Sequence, residues 1–228
     1  MLAKKVKQVL LELQKANLLP HLILIGSWCG VFYTQYFGEE NYFPNIQTLD
    51  VDFLIPKPKD LKEPPLALPD LLKALDFSIE FSGSGWTRFV HPELRVEFLV
   101  PRLGPQSDDP QKIGALQINA MPLRHTHVLT AHTLIIQQEG FKLRVPHPLA
   151  FALHKLLISN RRKEKGKALR DQEMALRILD AYQRVRKMEN IQTIWDDFTK
   201  KEKKEILEVV LSLQEIPLKP ALIQSLLL

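Results

Sequence analysis

Asp50 and Asp52, set in the run Thr48-Leu49-Asp50-Val51-Asp52-Phe53-Leu54-Ile55-Pro56, are the residues of this chain best suited to chemistry. Leu49, Val51, Phe53 and Ile55 fill the alternate positions, so the run reads as a β-strand. Its two carboxylates project from one face and its apolar set points to a core. Like charges that close repel, and the arrangement calls for a compensating cation. Mg²⁺ suits it, because this hard ion takes carboxylate oxygens and keeps positions open for phosphates. Such a pair points to phosphoryl or nucleotidyl transfer. The alternative is a solvated strand face without function, against which stands the scarcity of aspartate in strands.

Two further elements share that chemistry. Ile23-Leu24-Ile25-Gly26-Ser27 is an apolar strand ending in Gly-Ser where a helix opens. Gly26 permits a tight turn and close approach of a phosphate to the backbone. The helix N-terminus adds unpaired N–H groups and the positive end of its dipole. Ser27 can cap that helix and donate its hydroxyl to a phosphate oxygen; a capped helix after a glycine turn is the plainer reading. Glu97 lies in Leu94-Arg95-Val96-Glu97-Phe98-Leu99-Val100-Pro101, where Leu94, Val96, Phe98 and Val100 alternate with Arg95 and Glu97. Taken alone, an exposed, salt-bridged glutamate is the plainer reading. If the two strands are neighbours in register, Asp50, Asp52 and Glu97 form a three-carboxylate cluster. That cluster could hold two Mg²⁺ ions about 3.5–4 Å apart, one on the attacking oxygen and one on a triphosphate.

The elements that must position these groups follow from periodicity. Residues 2–17 predict an amphipathic helix with Leu2, Val6, Val9, Leu13 and Ala16 on one stripe. His21 to Ile25 predicts a short buried strand, and Ser27 to about Phe37 a helix. A loop covers 38–47, and Pro56, Pro58, Pro64, Pro65 and Pro69 punctuate a surface connection before a short helix over 66–75. Residues 77–100 predict an antiparallel meander: Phe77–Phe81, a Ser82–Gly85 turn, Trp86–Val90, a His91–Glu93 turn, and Leu94–Val100. A polar loop follows over 101–112, and short β-like pieces over 113–145. Beyond Pro146 the periodicity becomes helical, over about 147–160, 166–189, 191–200, 202–214 and a short C-terminal piece.

A Gly-Ser turn opening a helix, an Asp-x-Asp strand and a third carboxylate on a neighbouring strand resemble the DNA polymerase β-type nucleotidyltransferase superfamily. Here these are Gly26-Ser27, Asp50-Val51-Asp52 and Glu97, and the motif-bearing part spans about residues 20–100. The interval from Ser27 to Asp50 is longer than in many members and implies an insertion over 38–47. His147 to Ile158, Arg161-Arg162 and Lys167-Ala168-Leu169-Arg170-Asp171 resemble the later part of abortive-infection (type IV toxin) and related bacterial nucleotidyltransferases. That resemblance implies that Lys155 contacts the nucleotide's phosphates and that Asp171 orients it or a neighbouring basic residue. Lys155 and Arg162 lie seven apart, on one helix face, which suits a shared anion. The residues equally allow Lys155 to snorkel from an apolar helix and Asp171 to pair with Lys167.

The chain as a whole agrees with an enzyme of this kind. Its 228 residues, 45% hydrophobic and 25% charged, suit one large domain or two small ones. The net charge of +5 permits a polyanionic partner without requiring one. Cys29 is the single cysteine, which excludes an intrachain disulfide and a cysteine-rich zinc site. The N-terminus lacks the apolar run of a signal peptide, and no stretch approaches the roughly 20 apolar residues of a membrane span. A cytoplasmic location with no membrane association is expected. Gly83-Ser84-Gly85 is read as a hairpin turn, since no Gly-Lys-Ser/Thr follows. His125, His127 and His132 are read as scattered strand histidines, and Trp28, Tyr33 and Tyr36 as mainly core. Arg88 and Arg95 either brace a carboxylate or meet a triphosphate; spacing does not choose between them. The basic run over 161–170 is either a solvated helix junction or an acceptor-binding surface.

The expectation is therefore an α+β fold: a mixed-sheet nucleotidyltransferase domain flanked by helices over 1–146, then a helical C-terminal domain over 147–228. The cleft between them would bind an NTP with two Mg²⁺ ions. Asp50, Asp52 and Glu97 would hold the metals, with Glu97 also serving as general base. Gly26 and Ser27 would cradle the phosphates, and Lys155 would offset charge at the α-phosphate. The acceptor is left open among tRNA, protein and small molecules. Two alternatives stand beside this reading. One is a toxin-like enzyme acting on tRNA with an antitoxin partner; the other is an inactive nucleotide-binding module.

Overall fold

Alternation of apolar and polar residues builds a seven-stranded mixed sheet in the computed structural model, which describes residues 3–44, 48–62, 67–102, 109–186, 191–213 and 223–224. The expectations resting on Pro64 and Pro65, on the middle of the 101–112 loop, on 187–189 and on most of the C-terminal piece lie outside those residues. The chain runs α1 (Lys4–Lys15), β1 (Ile23–Ile25), α2 (Cys29–Phe37), β2 (Asp50–Leu54), α3 (Leu68–Lys73), β3 (Ser78–Phe81), β4 (Thr87–His91) and β5 (Leu94–Pro101). It continues through β6 (Gln111–Ile113), β7 (Ile118–Leu123), α4 (His127–Ala131), β8 (Thr133–Gln138) and β9 (Phe141–Pro146). Four helices follow: α5 (Pro148–Ser159), α6 (Lys165–Arg186), α7 (Ile191–Asp196) and α8 (Lys200–Ser212). The class is α+β, a mixed sheet with helices.

Contacts divide the chain into two compact units, Met1–Phe32 with Ile46–Val145, and Tyr33–Asn45 with Pro146–Leu228. In the first, the sheet order is β1-β2-β5-β4-β3, with β7 beside the C-terminal part of β5 and β6 paired to β7. β2 and β5 run parallel, whereas β1 with β2, β4 with β5 and β3 with β4 run antiparallel. The parallel pairing follows from the long connection through α3 and the β3–β4 hairpin, since adjacent parallel strands need a crossover. The predicted meander forms as read, with Ser82–Gly85 closing its first turn through a Gly85 N–H to Ser82 carbonyl bond of 2.8 Å. Val51, Phe53, Phe89, Val96 and Phe98 are buried on one sheet face, with Phe98 stacked on Phe53 at 5.6 Å and edge-on to Phe89 at 6.1 Å. On α1, Val6, Val9, Leu10 and Leu13 form the buried stripe.

Three local expectations need correction. The strand expected from His21 begins at Ile23, because Leu19–His21 winds into a 3₁₀ turn that Pro20 starts well. The helix expected from Ser27 begins at Cys29, with Ser27 and Trp28 in the turn before it. Residues 113–145 are not all β: Gly114–Leu116 is a 3₁₀ turn and α4 is a helix, so His127 opens a helix rather than lying in a strand. A five-residue helix is too short to reveal its period in sequence.

The second unit is helical. α5 is buried all round, from Pro148 through Leu157, its polar members His154 and Lys155 included. It packs on α6, which offers Ala175, Ile178, Leu179 and Tyr182, and on α8, which offers Ile206, Val209 and Val210. Tyr33 donates its hydroxyl to the Pro146 carbonyl at 2.8 Å and meets Phe151 edge-on. Thr199 and Glu202 form a reciprocal capping box at the start of α8. Among the described residues no helix is long and apolar enough to cross a membrane.

Candidate active site

The β2–β5 register brings the expected carboxylates to one face of the sheet. Asp52 is directly opposite Glu97, and Asp50 is opposite Arg95. On its other side Asp52 faces Ile25, the residue before Gly26. Gly26 holds φ +76°, in the left-handed region that favours glycine, and a Cβ there would lie 2.5 Å from Asp52 Oδ2. The missing side chain is therefore what lets the β1–α2 turn close over Asp52. Ser27 follows in that turn, its carbonyl accepting from the Gly30 N–H at 3.1 Å as α2 begins.

Asp50 and Glu97 each have a nearby donor. Asp50 Oδ2 accepts the Thr48 hydroxyl at 3.0 Å, while Thr48 Oγ1 accepts the Asp50 N–H at 3.0 Å. Arg95 Nη1 lies 3.6 Å from Asp50 Oδ1, both groups being substantially exposed. Glu97 is far less exposed, at 13% of its side chain, and its Oε1 is 2.8 Å from Arg88 Nε. Arg88 also lies over the Trp86 ring, 5.0 Å from its centroid. Burial raises the Glu97 carboxyl above its ordinary value of 4.5; Arg88 opposes that shift, and neighbouring Asp50 adds to it. Among the described residues no three His, Cys, Asp or Glu side chains converge tightly enough to hold a metal as they stand. The histidines at 125, 127 and 132 form no such group either.

Residues 4–200, most of the chain, match the sequence profile of a family described as nucleotidyltransferase. The chain belongs to that family. Among solved structures, it is similar to an antigenic nucleotidyltransferase-like protein from Paracoccidioides brasiliensis, with a TM-score of 0.50 and 13% identity over 98% of this chain and 93% of that one. That likeness is one of fold. No curated protein matches the sequence. This nucleotidyltransferase is thus an enzyme of a class that transfers nucleotidyl groups.

The helical unit of the nucleotidyltransferase holds the other expected residues. Lys155 Nζ lies 2.6 Å from Asp171 Oδ1, and Arg162 Nε lies 2.8 Å from Asp171 Oδ2. Lys155 and Asp171 are buried, whereas Arg162 is 40% exposed. Lys155 also sits 5.4 Å from the Phe151 ring centroid. The two cations do not share a helix face, because α5 ends at Ser159 and Arg162 lies in the following turn. Asp171 joins them instead. Its alternative partner, Lys167, is taken by Glu164 at 2.9 Å.

Thr48 and Trp86 are not singled out by the sequence, whereas Arg88 takes the carboxylate-bracing role of the two that its spacing allows. Thr48 stands two residues before Asp50, a spacing at which a hydroxyl meets the backbone. The pairing of Arg88 with Glu97 depends on cross-strand register, which no local pattern encodes.

Proposed function

We propose that this nucleotidyltransferase moves a nucleoside monophosphate from an NTP to an acceptor hydroxyl, releasing pyrophosphate, with Asp50, Asp52 and Glu97 holding two Mg²⁺ ions. The observation that carries this reading is the placement of Asp52 opposite Glu97, on the face that also bears Asp50. These donors fit the metal: they are hard oxygen ligands on adjacent strands, and the space beside Asp52 is kept free of a side chain by Gly26. Bound Mg²⁺ would supply positive charge to activate the attacking oxygen and neutralise the triphosphate.

The protein's own groups do the rest. Rigid neighbouring strands fix the spacing of the carboxylates before substrate arrives. Glu97 is also the proposed general base for the acceptor hydroxyl. The Gly26-Ser27 turn presents backbone N–H groups and a hydroxyl to the phosphates. Lys155 is a further proposed phosphate contact, and Asp171 positions it. Incubation with each labelled NTP, Mg²⁺ and RNA, protein or small-molecule acceptors tests the proposal. Transfer is expected from the native chain and is expected to fall at least about a hundredfold in Asp50→Asn and Asp52→Asn. Transfer that persists in both variants would overturn it.

A further inference from the structure

Arg88 belongs to a row of charged residues that crosses four strands. Register sets Glu80 of β3 opposite Arg88 of β4, Arg88 opposite Glu97 of β5, and Glu97 opposite Asp52 of β2. One cation thus has an acid on either side, each a single strand spacing of about 4.8 Å away. It is paired with only one of them. Nε is 2.8 Å from Glu97 Oε1. The Trp86 face beneath the guanidinium adds an attraction that tolerates lateral movement. Glu80 is exposed at the sheet edge, and no ion pair joins it to Arg88 among the described residues.

We propose that Arg88 is a placeholder cation: it neutralises Glu97 until a divalent metal engages Asp50, Asp52 and Glu97, and then moves one strand along to Glu80. The inference rests on the metal-dependent reading given above. A guanidinium and a divalent ion on the same carboxylate repel each other, so a metal that recruits Glu97 weakens the hold of Arg88 on it and favours the free acid on the other side. Arg88 is then a positioning residue. It lowers the repulsion among the carboxylates beforehand, and Glu80 receives it afterwards. A purely structural Arg88–Glu97 bridge would behave in the opposite way, because removing it would loosen Glu97 and weaken the metal.

Titration of the full chain with Mn²⁺, followed by the loss of free-ion electron paramagnetic resonance signal, tests this. Arg88→Ala is expected to bind Mn²⁺ at least about threefold more tightly, and Glu80→Gln at least about twofold more weakly. In the double variant, Glu80→Gln is expected to have no further effect. Cooperative thermal melting identifies which variants are folded, and Arg88→Gln replaces Arg88→Ala if the latter is not. Unchanged or weaker Mn²⁺ binding by a folded Arg88 variant would overturn the placeholder role. So would a Glu80 effect that persists without Arg88. Failure of the native chain to bind Mn²⁺, or binding indifferent to Asp52→Asn, would overturn the metal-dependent reading and the placeholder with it.

Discussion

At Gly26 one added methyl group decides whether Asp52 keeps its place. The φ of +76° already disfavours an L side chain, and the new Cβ would lie 2.5 Å from Asp52 Oδ2. Gly26→Ala is expected to cost about 1–3 kcal/mol in urea unfolding. It should also weaken Mn²⁺ binding more than an equally destabilising change in the helical unit. Glu97 gives a second prediction. Its carboxyl binds a proton more readily in the folded chain than in the unfolded one, because burial outweighs Arg88. The native chain therefore holds more protons just above pH 4.5, and its stability relative to Glu97→Gln should fall as pH rises through the elevated value. Melting curves of both proteins between pH 4 and about 8 measure that difference. A constant gap, or one that widens with pH, would contradict it.

Between elements, register and burial set the energies. β2 and β5 meet on one face at the Asp50–Arg95 ion pair and the opposed acids Asp52 and Glu97, and on the other at Phe53 and Phe98, with Phe89 of β4 edge-on to Phe98. Phe98→Ala should cost about 3–5 kcal/mol, because the cavity would open beneath the strand that carries Glu97. In the helical unit, α5 and α6 meet through a buried carboxylate with two cations. Removing Asp171 leaves Lys155 buried and uncompensated, so Asp171→Ala should cost about 3–5 kcal/mol. Lys155→Met should cost less, because Asp171 keeps Arg162 at 2.8 Å. Denaturant unfolding of the two variants orders them. Equal losses would mean that Arg162 does not compensate the carboxylate. Lys155 and Asp171 could each be picked out in sequence, but their pairing could not, since Lys167 was four residues from Asp171 and Lys155 sixteen.

For the whole molecule, charge is unevenly spread. Arg161, Arg162, Lys163, Lys165, Lys167 and Arg170 against Glu164 make six minus one, or +5 over residues 161–170, equal to the +5 of the entire chain. Ion pairs decide which of these charges are spent internally. Arg161 pairs with Glu205, Arg162 with Asp171 and Lys167 with Glu164, while Lys163, Lys165 and Arg170 are exposed and have no such ion pair among the described residues. Retention on a heparin matrix should therefore drop when these three become alanine, and the salt concentration needed for elution should fall with it. Their loss should leave the melting temperature nearly unchanged, as exposed charges contribute little to stability. The same change at Arg161 and Arg162 should cost stability as well.

Local chemistry let the sequence alone determine the Asp-x-Asp strand, the meander, the Gly-Ser turn and the helical second half. Each is written in short-range periodicity or in a residue type with one strong backbone preference. The family, too, was legible from the order of those motifs. Tertiary structure decided what no spacing states: that Asp52 faces Glu97, that Arg88 rather than Arg95 takes that glutamate, and that Asp171 gathers Lys155 with Arg162. Strand neighbours and helix packing are chosen by burial across long separations. A residue's partners, and so the charge it presents to a substrate, exist only once that choice is made.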